Sequence, residues 1–533
     1  MSGEWAEIDA RATPPRVSIP RAYNAAVDFV DRHVAQGRGA RIAIRDDTSS
    51  YDYAELAART ARAGHAVRSA GAGLEQRVMM CMLDSIDFVA VFFGAIKAGA
   101  VPVPVNTLLT TADYAHLLRD SRARVLVVSD ALYGKLEPAL AAAPLLQKVL
   151  IARTVQGGPD GGHEHLESRM AKSPDTLEPA ATTADDVAFW LYSSGSTGPP
   201  KGAMHLHASL TYTAALFGQG VLGVREDDVV FSAAKLFFAY GLGNAMSFPL
   251  QVGATAVLMA ERPTPASVMR TLAKHRPTIF YGVPTLFAAL LADPATSAER
   301  GSDALRFCVS AGEALPRHVG EKWRARFGVD ILDGIGSTEM LHMFIANRPG
   351  EVRYGSSGKP VPGYDARLQA EDGTPVPDGQ EGALWVRGPS AAIGYWNNRE
   401  RSLGTFHGPW TKTGDQYVRE AAGYYTYVGR SDDMLKVSGQ WVSPFEVEQA
   451  LGAHDAVLEA AVVGHTDEDG LVKPKAFVVL KRAADASPEL ASELKSFVKD
   501  RLAPFKYPRW IEFVADLPKT ATGKIQRFKL RRS

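Results

Sequence analysis

Cysteine is nearly absent: the 533 residues include two, Cys81 and Cys308. Two thiols supply no disulfide framework, and their scarcity suits a reducing compartment such as the cytoplasm. Cys308 stands in the apolar run Phe307-Cys308-Val309, which reads as a core strand, so packing and not nucleophilic chemistry is expected of it. Neither sign of charge is in excess, since Lys plus Arg and Asp plus Glu both number 59. Net charge therefore gives the chain no pull toward nucleic acid or an anionic membrane. Long apolar runs are missing as well. The longest apolar region, Phe88 to Val105, is broken by Lys97, Pro102 and Pro104, which argues for a helix, a turn and a strand and against a membrane span. The first residues hold Glu4, Glu7, Asp9 and Arg11 without an apolar stretch, so no secretory signal is expected there.

What is present is enough apolar sequence for more than one core, and the length calls for at least two domains. A helix is expected to start at Tyr51–Leu56 and run past Val67. Apolar strands then alternate with helices: Arg77–Leu83, Asp87–Ala98, Val101–Val105 and Val125–Val128, and again from Val229 to Phe327. That alternation predicts parallel sheets with helices on their faces, in two successive α/β layers. From about residue 358 to 429 the segments shorten and turn signals such as Asp372-Gly373 and Asp378-Gly379 multiply, as in a compact β region. A polar stretch at 429–436 marks a boundary, and a small α+β unit follows. Glu446 and Glu448 in its first helix read as a solvated face.

One stretch carries the strongest chemical signal. The strand Val187–Leu191 runs into Tyr192-Ser193-Ser194-Gly195-Ser196-Thr197-Gly198-Pro199-Pro200-Lys201-Gly202. Glycines let the backbone approach closely, and successive N–H groups, hydroxyls and one ammonium can converge on a polyphosphate. The ordinary P-loop is excluded, because Lys201 is followed by Gly202 and not by Ser or Thr, and Pro199-Pro200 prevents a helix from opening inside the loop. His205-x-His207 nearby has no third candidate ligand, so a metal role is not expected of it.

The wording Ser-Ser-Gly-Ser-Thr-Gly-x-x-Lys-Gly resembles the nucleotide loop of the adenylate-forming superfamily of acyl-CoA synthetases, adenylation domains and luciferases. Further stretches match in order across nearly the whole chain. The resemblance implies that Ser193, Ser194, Gly195, Ser196, Thr197, Gly198 and Lys201 bind ATP phosphates, and that Gly312, Glu313 and Ala314 line the adenine pocket. In Asp333-Gly334-Ile335-Gly336-Ser337-Thr338-Glu339 it implies ATP contacts from Asp333 and Gly334, an α-phosphate contact from Thr338 and a magnesium ligand in Glu339. Asp415 and Arg430 would clamp the ribose, and Asp432 would be a hinge. Lys524, in Thr522-Gly523-Lys524, would be the lysine of the adenylation step. Lys436, Ser438 and Gly439 would form a CoA channel after the small domain rotates, with Trp441 departing from the usual pattern. The implied fold is α/β: an N-terminal domain, residues 1–431, of two layered subdomains plus a small β-barrel region, and a mobile α+β domain, residues 432–533.

Lys235-Leu236-Phe237-Phe238-Ala239-Tyr240-Gly241-Leu242-Gly243 and Met340-Leu341-His342-Met343-Phe344 are similar to the corresponding segments of benzoate–CoA ligases. By that resemblance Ala239, Tyr240, Phe248, Gly336, His342 and Met343 surround a planar ring, for which aromatics and a thioether are apt. The implied activity is conversion of benzoate, ATP and CoA to benzoyl-CoA, AMP and diphosphate, with Mg2+ as cofactor, in a cytoplasmic monomer or homodimer that binds neither nucleic acid nor membrane. Two rivals remain open: an adenylation enzyme that loads a separate carrier protein, and a non-catalytic nucleotide-binding regulator.

Overall fold

The computed structural model describes residues 5–193, 199–296, 301–431, 433–437, 440–468, 471–503, 505–519 and 525–531. Two largely parallel sheets form the large N-terminal part. The first orders its five strands as Val101–Pro104, Arg77–Cys81, Val125–Ser129, Lys148–Ala152 and Glu164–His165, all parallel. The second has nine strands. Its parallel centre runs Ile331–Gly336, Phe307–Ser310, Ile279–Gly282, Val229–Ser232, Thr255–Val257 and Ile42–Arg45. Such strands are covered on both faces, which explains their continuous runs of Val, Ile and Phe. Every residue of the helix Ile86–Lys97 is buried, and its one cation, Lys97, is paired with Asp31 at 2.7 Å.

The two expected α/β layers are present, with differences at their edges. The helix expected from Tyr51 starts at Tyr53. Asp52 caps it by accepting the N–H of Glu55 at 2.8 Å, while Ser50–Asp52 is an edge strand beside Ile42–Arg45. Residues 42–52 thus belong to the second sheet although they precede the first. The glycine loop is followed by a strand, Lys201–Leu206, antiparallel to Val187–Ser193 with Ser193 opposite Lys201. The small β region is a five-stranded antiparallel sheet, Asp365–Gln369, Glu381–Arg387, Phe406–His407, Trp410–Arg419 and Tyr425–Arg430, whose pairings do not close a ring among the described residues.

The small C-terminal unit packs the helices Pro444–Gly452 and Pro488–Lys499 beside the strands Val457–Thr466, Val472–Leu480 and Trp510–Phe513. Here the solvated face expected of Glu446 and Glu448 is corrected. Glu448 is 9% exposed, takes a two-pronged ion pair from Arg527 at 2.9 and 2.7 Å and accepts the N–H of Val462 at 2.7 Å. Glu446 pairs with Lys506 at 2.6 Å. Helical spacing exposes these acids only while nothing covers them, and the C-terminal segment does so.

Candidate active site

Parallel strands leave their loops at the carboxyl end, and a ligand crevice forms there. In this chain the loops of both sheets meet at one cavity of about 830 Å3. Met82–Asp84 and Thr107–Leu108 come from the first sheet; Ala233–Lys235, Phe237–Tyr240, Val283, Ala311–Glu313, Gly336–Thr338 and Leu341–Met343 come from the second. Leu458, Glu459, Val479, Ala515, Asp516 and Lys519 of the C-terminal unit line the same space.

Its apolar end is made by Ala239, Tyr240, Gly336, His342 and Met343. The Tyr240 hydroxyl is held by the carbonyls of Val309 at 3.0 Å and Gly282 at 3.2 Å. His342 Nε2 lies 3.1 Å from Asn244 Oδ1 and 3.3 Å from the Tyr240 carbonyl. Both are acceptors, so Nε2 carries the proton. Burial pushes the His342 pKa down to about 3, so the ring is neutral. A Cβ at Gly336 would come within 2.6 Å of the His342 carbonyl, so only glycine fits this wall. Phe248 does not line the cavity; it is buried behind His342, with ring centroids 4.5 Å apart.

Next to this end the chain turns sharply at Thr338–Leu341. Leu341 has φ +67°, a left-handed conformation unusual for a branched side chain, and its N–H donates to the Thr338 carbonyl at 3.2 Å. The same carbonyl lies 2.9 Å from His205 Nε2. His205 is buried with its pKa lowered to about 4 by desolvation, while His207 Nδ1 accepts the Ala25 N–H at 3.1 Å. One nitrogen of each histidine is thereby committed within the protein. Glu339 follows, half-buried; its Oε1 accepts from the Tyr395 hydroxyl at 2.7 Å and from Ser193 Oγ at 3.2 Å. No hydrogen bond from the described residues reaches Oε2. A single carboxylate oxygen left open beside a phosphate loop fits Mg2+, which takes one or two carboxylates and completes its shell with phosphate and water.

The roots of the glycine loop are anchored on the first sheet. Trp190 packs on Trp396 at 4.7 Å, with the Arg77 guanidinium over both rings. Tyr192 donates to Asp120 Oδ2 at 2.6 Å, and Trp396 Nε1 to the Asp120 carbonyl at 2.9 Å. Lys201 then sits 4.7 Å over the Tyr395 ring, and partial burial lowers its pKa. Ser194, Gly195, Ser196, Thr197 and Gly198 lie outside the described residues, as do Asp432, Ser438, Gly439 and Lys524; Lys436 is described by its backbone alone, in the strand Leu435–Val437. Lys519, which lines the cavity, is bridged to Ile525 just past Lys524.

Of the nucleotide candidates, Gly312, Glu313 and Thr338 line the cavity, and Ala314 follows half-buried. Gly334 is buried within the strand Ile331–Gly336. Asp333, in the same strand, is buried; desolvation raises its pKa well above the usual carboxylate range, and its Oδ1 has no hydrogen-bond partner among the described residues. Asp415 and Arg430 face each other across a strand pair, with Nη1 to Oδ1 at 3.1 Å. Gly414 has φ +80°, and a Cβ there would meet the Arg430 guanidinium at 2.8 Å. Reading the sequence missed Tyr395, Asn244 and the pairing of Lys235 with buried Asp84. Only the dipeptide Tyr395-Trp396 after Gly394 gave a local hint, as an aromatic pair in a turn-rich stretch.

A crevice at the carboxyl ends of two parallel sheets, with Ser193 at one end of a hydroxyl- and glycine-rich stretch bonded to the Glu339 carboxylate and Lys201 at the other end held over Tyr395, suits an enzyme that activates its substrate with a nucleotide. The family described as AMP-binding enzyme matches residues 30–396, and the AMP-binding enzyme C-terminal domain matches residues 446–524. The chain belongs to this family. It is similar to a benzoate–CoA ligase of Thauera aromatica, with 58% identity over 98% of each chain. It also resembles the crystal structure of a benzoate CoA ligase from Burkholderia xenovorans, with 53% identity, a TM-score of 0.88 and coverage of 95% of this chain and 99% of the other. An anthranilate CoA ligase in complex with anthranoyl-AMP aligns with a TM-score of 0.91 and 43% identity, covering 96% of this chain and 98% of the other.

Proposed function

We propose that the chain is an AMP-forming benzoate–CoA ligase. The observation that carries this reading is that Ala239, Tyr240, Gly336, His342 and Met343 line the same cavity as Thr338, with Glu339 next in the chain. A benzoate carboxylate oxygen attacks the α-phosphorus of ATP, the bond from that phosphorus to the bridging oxygen breaks, and pyrophosphate leaves. The CoA thiol then attacks the acyl carbon, loses its proton, and AMP departs as the thioester forms. In this reading Ser193, Ser194, Gly195, Ser196, Thr197, Gly198 and Lys201 hold the β- and γ-phosphates, and Thr338 holds the α-phosphate. Glu339 would hold Mg2+, which when bound would supply positive charge against the leaving pyrophosphate. Asp333 suits the amino group of adenine, because its open oxygen is buried beside the turn that contains Gly312, Glu313 and Ala314. Gly334 follows Asp333 in the same strand as a further contact, and Asp415 with Arg430 holds the ribose. Lys524 stabilises the anion-on-anion encounter of the first step.

The domains in this reading are residues 1–431 and 432–533, with Asp432 as the pivot. Its neighbours are both held: the Ser431 N–H donates to the Gly414 carbonyl at 3.0 Å, and Asp433 donates its N–H to the Arg430 carbonyl at 3.0 Å while its carboxylate pairs with Arg527 and Arg531 near the C-terminus. Rotation then exchanges Lys524 for Lys436, Ser438 and Gly439, so that one cavity serves both steps. The deciding experiment measures pyrophosphate release with benzoate and ATP, then thioester formation with free CoA. Both steps are expected. Pyrophosphate without thioester identifies a carrier loader, and neither product identifies a regulator. A preference for octanoate over benzoate refutes the aryl assignment.

A further inference from the structure

The geometry points to Tyr395 as a positioning residue that sets the orientation of the Glu339 carboxylate toward its metal. This rests on the reading of Glu339 as the magnesium ligand. The terminal torsion of a glutamate is broad and nearly two-fold, so an unguided carboxylate offers either oxygen to a cation. Here Oε1 accepts from Tyr395 at 2.7 Å and from Ser193 at 3.2 Å, which directs Oε2 away from both donors. Ser193 is also a hydroxyl of the phosphate loop, and of the two donors Tyr395 makes the shorter bond. The tyrosine is itself fixed. Its N–H donates to Ser402 Oγ at 2.9 Å, it is bridged to Ala203, and its ring packs on Phe406 at 5.4 Å. The Glu339 carbonyl accepts the Ala392 N–H at 2.7 Å, which ties the two segments together by backbone as well. The Tyr395 ring also carries the Lys201 ammonium at 4.7 Å. One side chain therefore touches both the metal-binding carboxylate and the lysine of the phosphate loop.

The test uses the full chain with a non-hydrolysable α,β-methylene ATP analogue and Mn2+ as probe, free Mn2+ being read by electron paramagnetic resonance. Tyr395→Phe keeps the ring and removes the hydroxyl. The expected result is Mn2+ binding weakened about 10-fold, the scale for residues that orient metal ligands. The metal concentration that half-saturates benzoyl-adenylate formation rises in parallel, and the KM for benzoate stays within twofold. In a Glu339→Gln background the tyrosine change is expected to add less than about twofold, because its target is gone. Native Mn2+ affinity in Tyr395→Phe overturns the proposal, as does full additivity with Glu339→Gln. Native affinity in Glu339→Gln instead refutes the metal role of Glu339 and the proposal with it. Equal loss of adenylate formation and of thioester formation from supplied benzoyl-adenylate also overturns it, since that pattern marks a general structural role.

Discussion

His342→Ala offers the sharpest test of how the cavity selects its acid. The ring is 3% exposed and closes the apolar end against Phe248, Phe217 and Tyr240, at centroid distances of 4.5, 5.3 and 5.6 Å. Removing it costs stability through lost packing, about 2–5 kcal/mol for a large-to-small change at a buried site. A further ~1–3 kcal/mol is lost if Asn244 Oδ1 is left without its donor. If the aromatic ring of the acid binds against His342 as proposed, the space freed adjoins that ring, and a methyl group on it would move from clash to contact. One methyl-sized group in an apolar pocket is worth ~1–3 kcal/mol, or about 10–200-fold in relative kcat/KM. The assay is direct competition of benzoate with 3-methylbenzoate and 4-methylbenzoate, with the thioesters quantified by mass spectrometry. At least one methylbenzoate is expected to gain about 10-fold or more over benzoate. A ratio unchanged within threefold, in a variant that still folds and turns over benzoate, means that His342 does not bound the ring and refutes the pocket assignment.

Three other outcomes are expected. Lys524→Ala should abolish benzoyl-adenylate formation and leave thioester formation from supplied benzoyl-adenylate largely intact; equal loss of both removes the assigned role. Arg527→Met strands the buried Glu448 carboxylate and should destabilise the C-terminal unit by about 3–5 kcal/mol, read as hydrogen exchange of Val457–Thr466; a loss under ~1 kcal/mol contradicts the buried-pair argument. His207, lowered to about 4 by burial, stays neutral in the fold while the unfolded chain takes up a proton below about 6.5. Its stabilising contribution is therefore present at neutral pH and is lost as pH falls toward 4. Relative to His207→Gln, the native chain should lose about 2 kcal/mol more between pH 7 and pH 5 in denaturant titrations, and parallel losses would refute the buried-neutral assignment.

Much of the fold was legible in the chain. The strands expected over Val125–Val128 and Val187–Leu191 both form, extended to Ser129 and Ser193. These signals are local: periodicity, capping residues and proline act within a few positions. The strand Lys201–Leu206 was not legible, because Pro199-Pro200 and a lysine at its start mask a segment whose order comes from pairing with Val187–Ser193. Glu448 was misread for a related reason. Its spacing suits a solvated face, and the residue that covers it, Arg527, lies 79 positions away.

The same division holds for the site. The sequence alone determined which residue types are suited to phosphate, magnesium and an aromatic ring, since glycine, hydroxyl, carboxylate and aromatic side chains have fixed chemistry wherever they stand. Tertiary structure alone decided which of them meet. Ser193 reaches Glu339 across 146 residues, His205 reaches the Thr338 carbonyl across 133, and Tyr395 reaches Glu339 across 56. It also moved Phe248 from the cavity wall to the layer behind it, and joined residues 42–52 to the second sheet. Such contacts depend on how parallel strands are ordered by their crossovers. Strand order is set by the burial of whole faces and not by any short stretch of sequence.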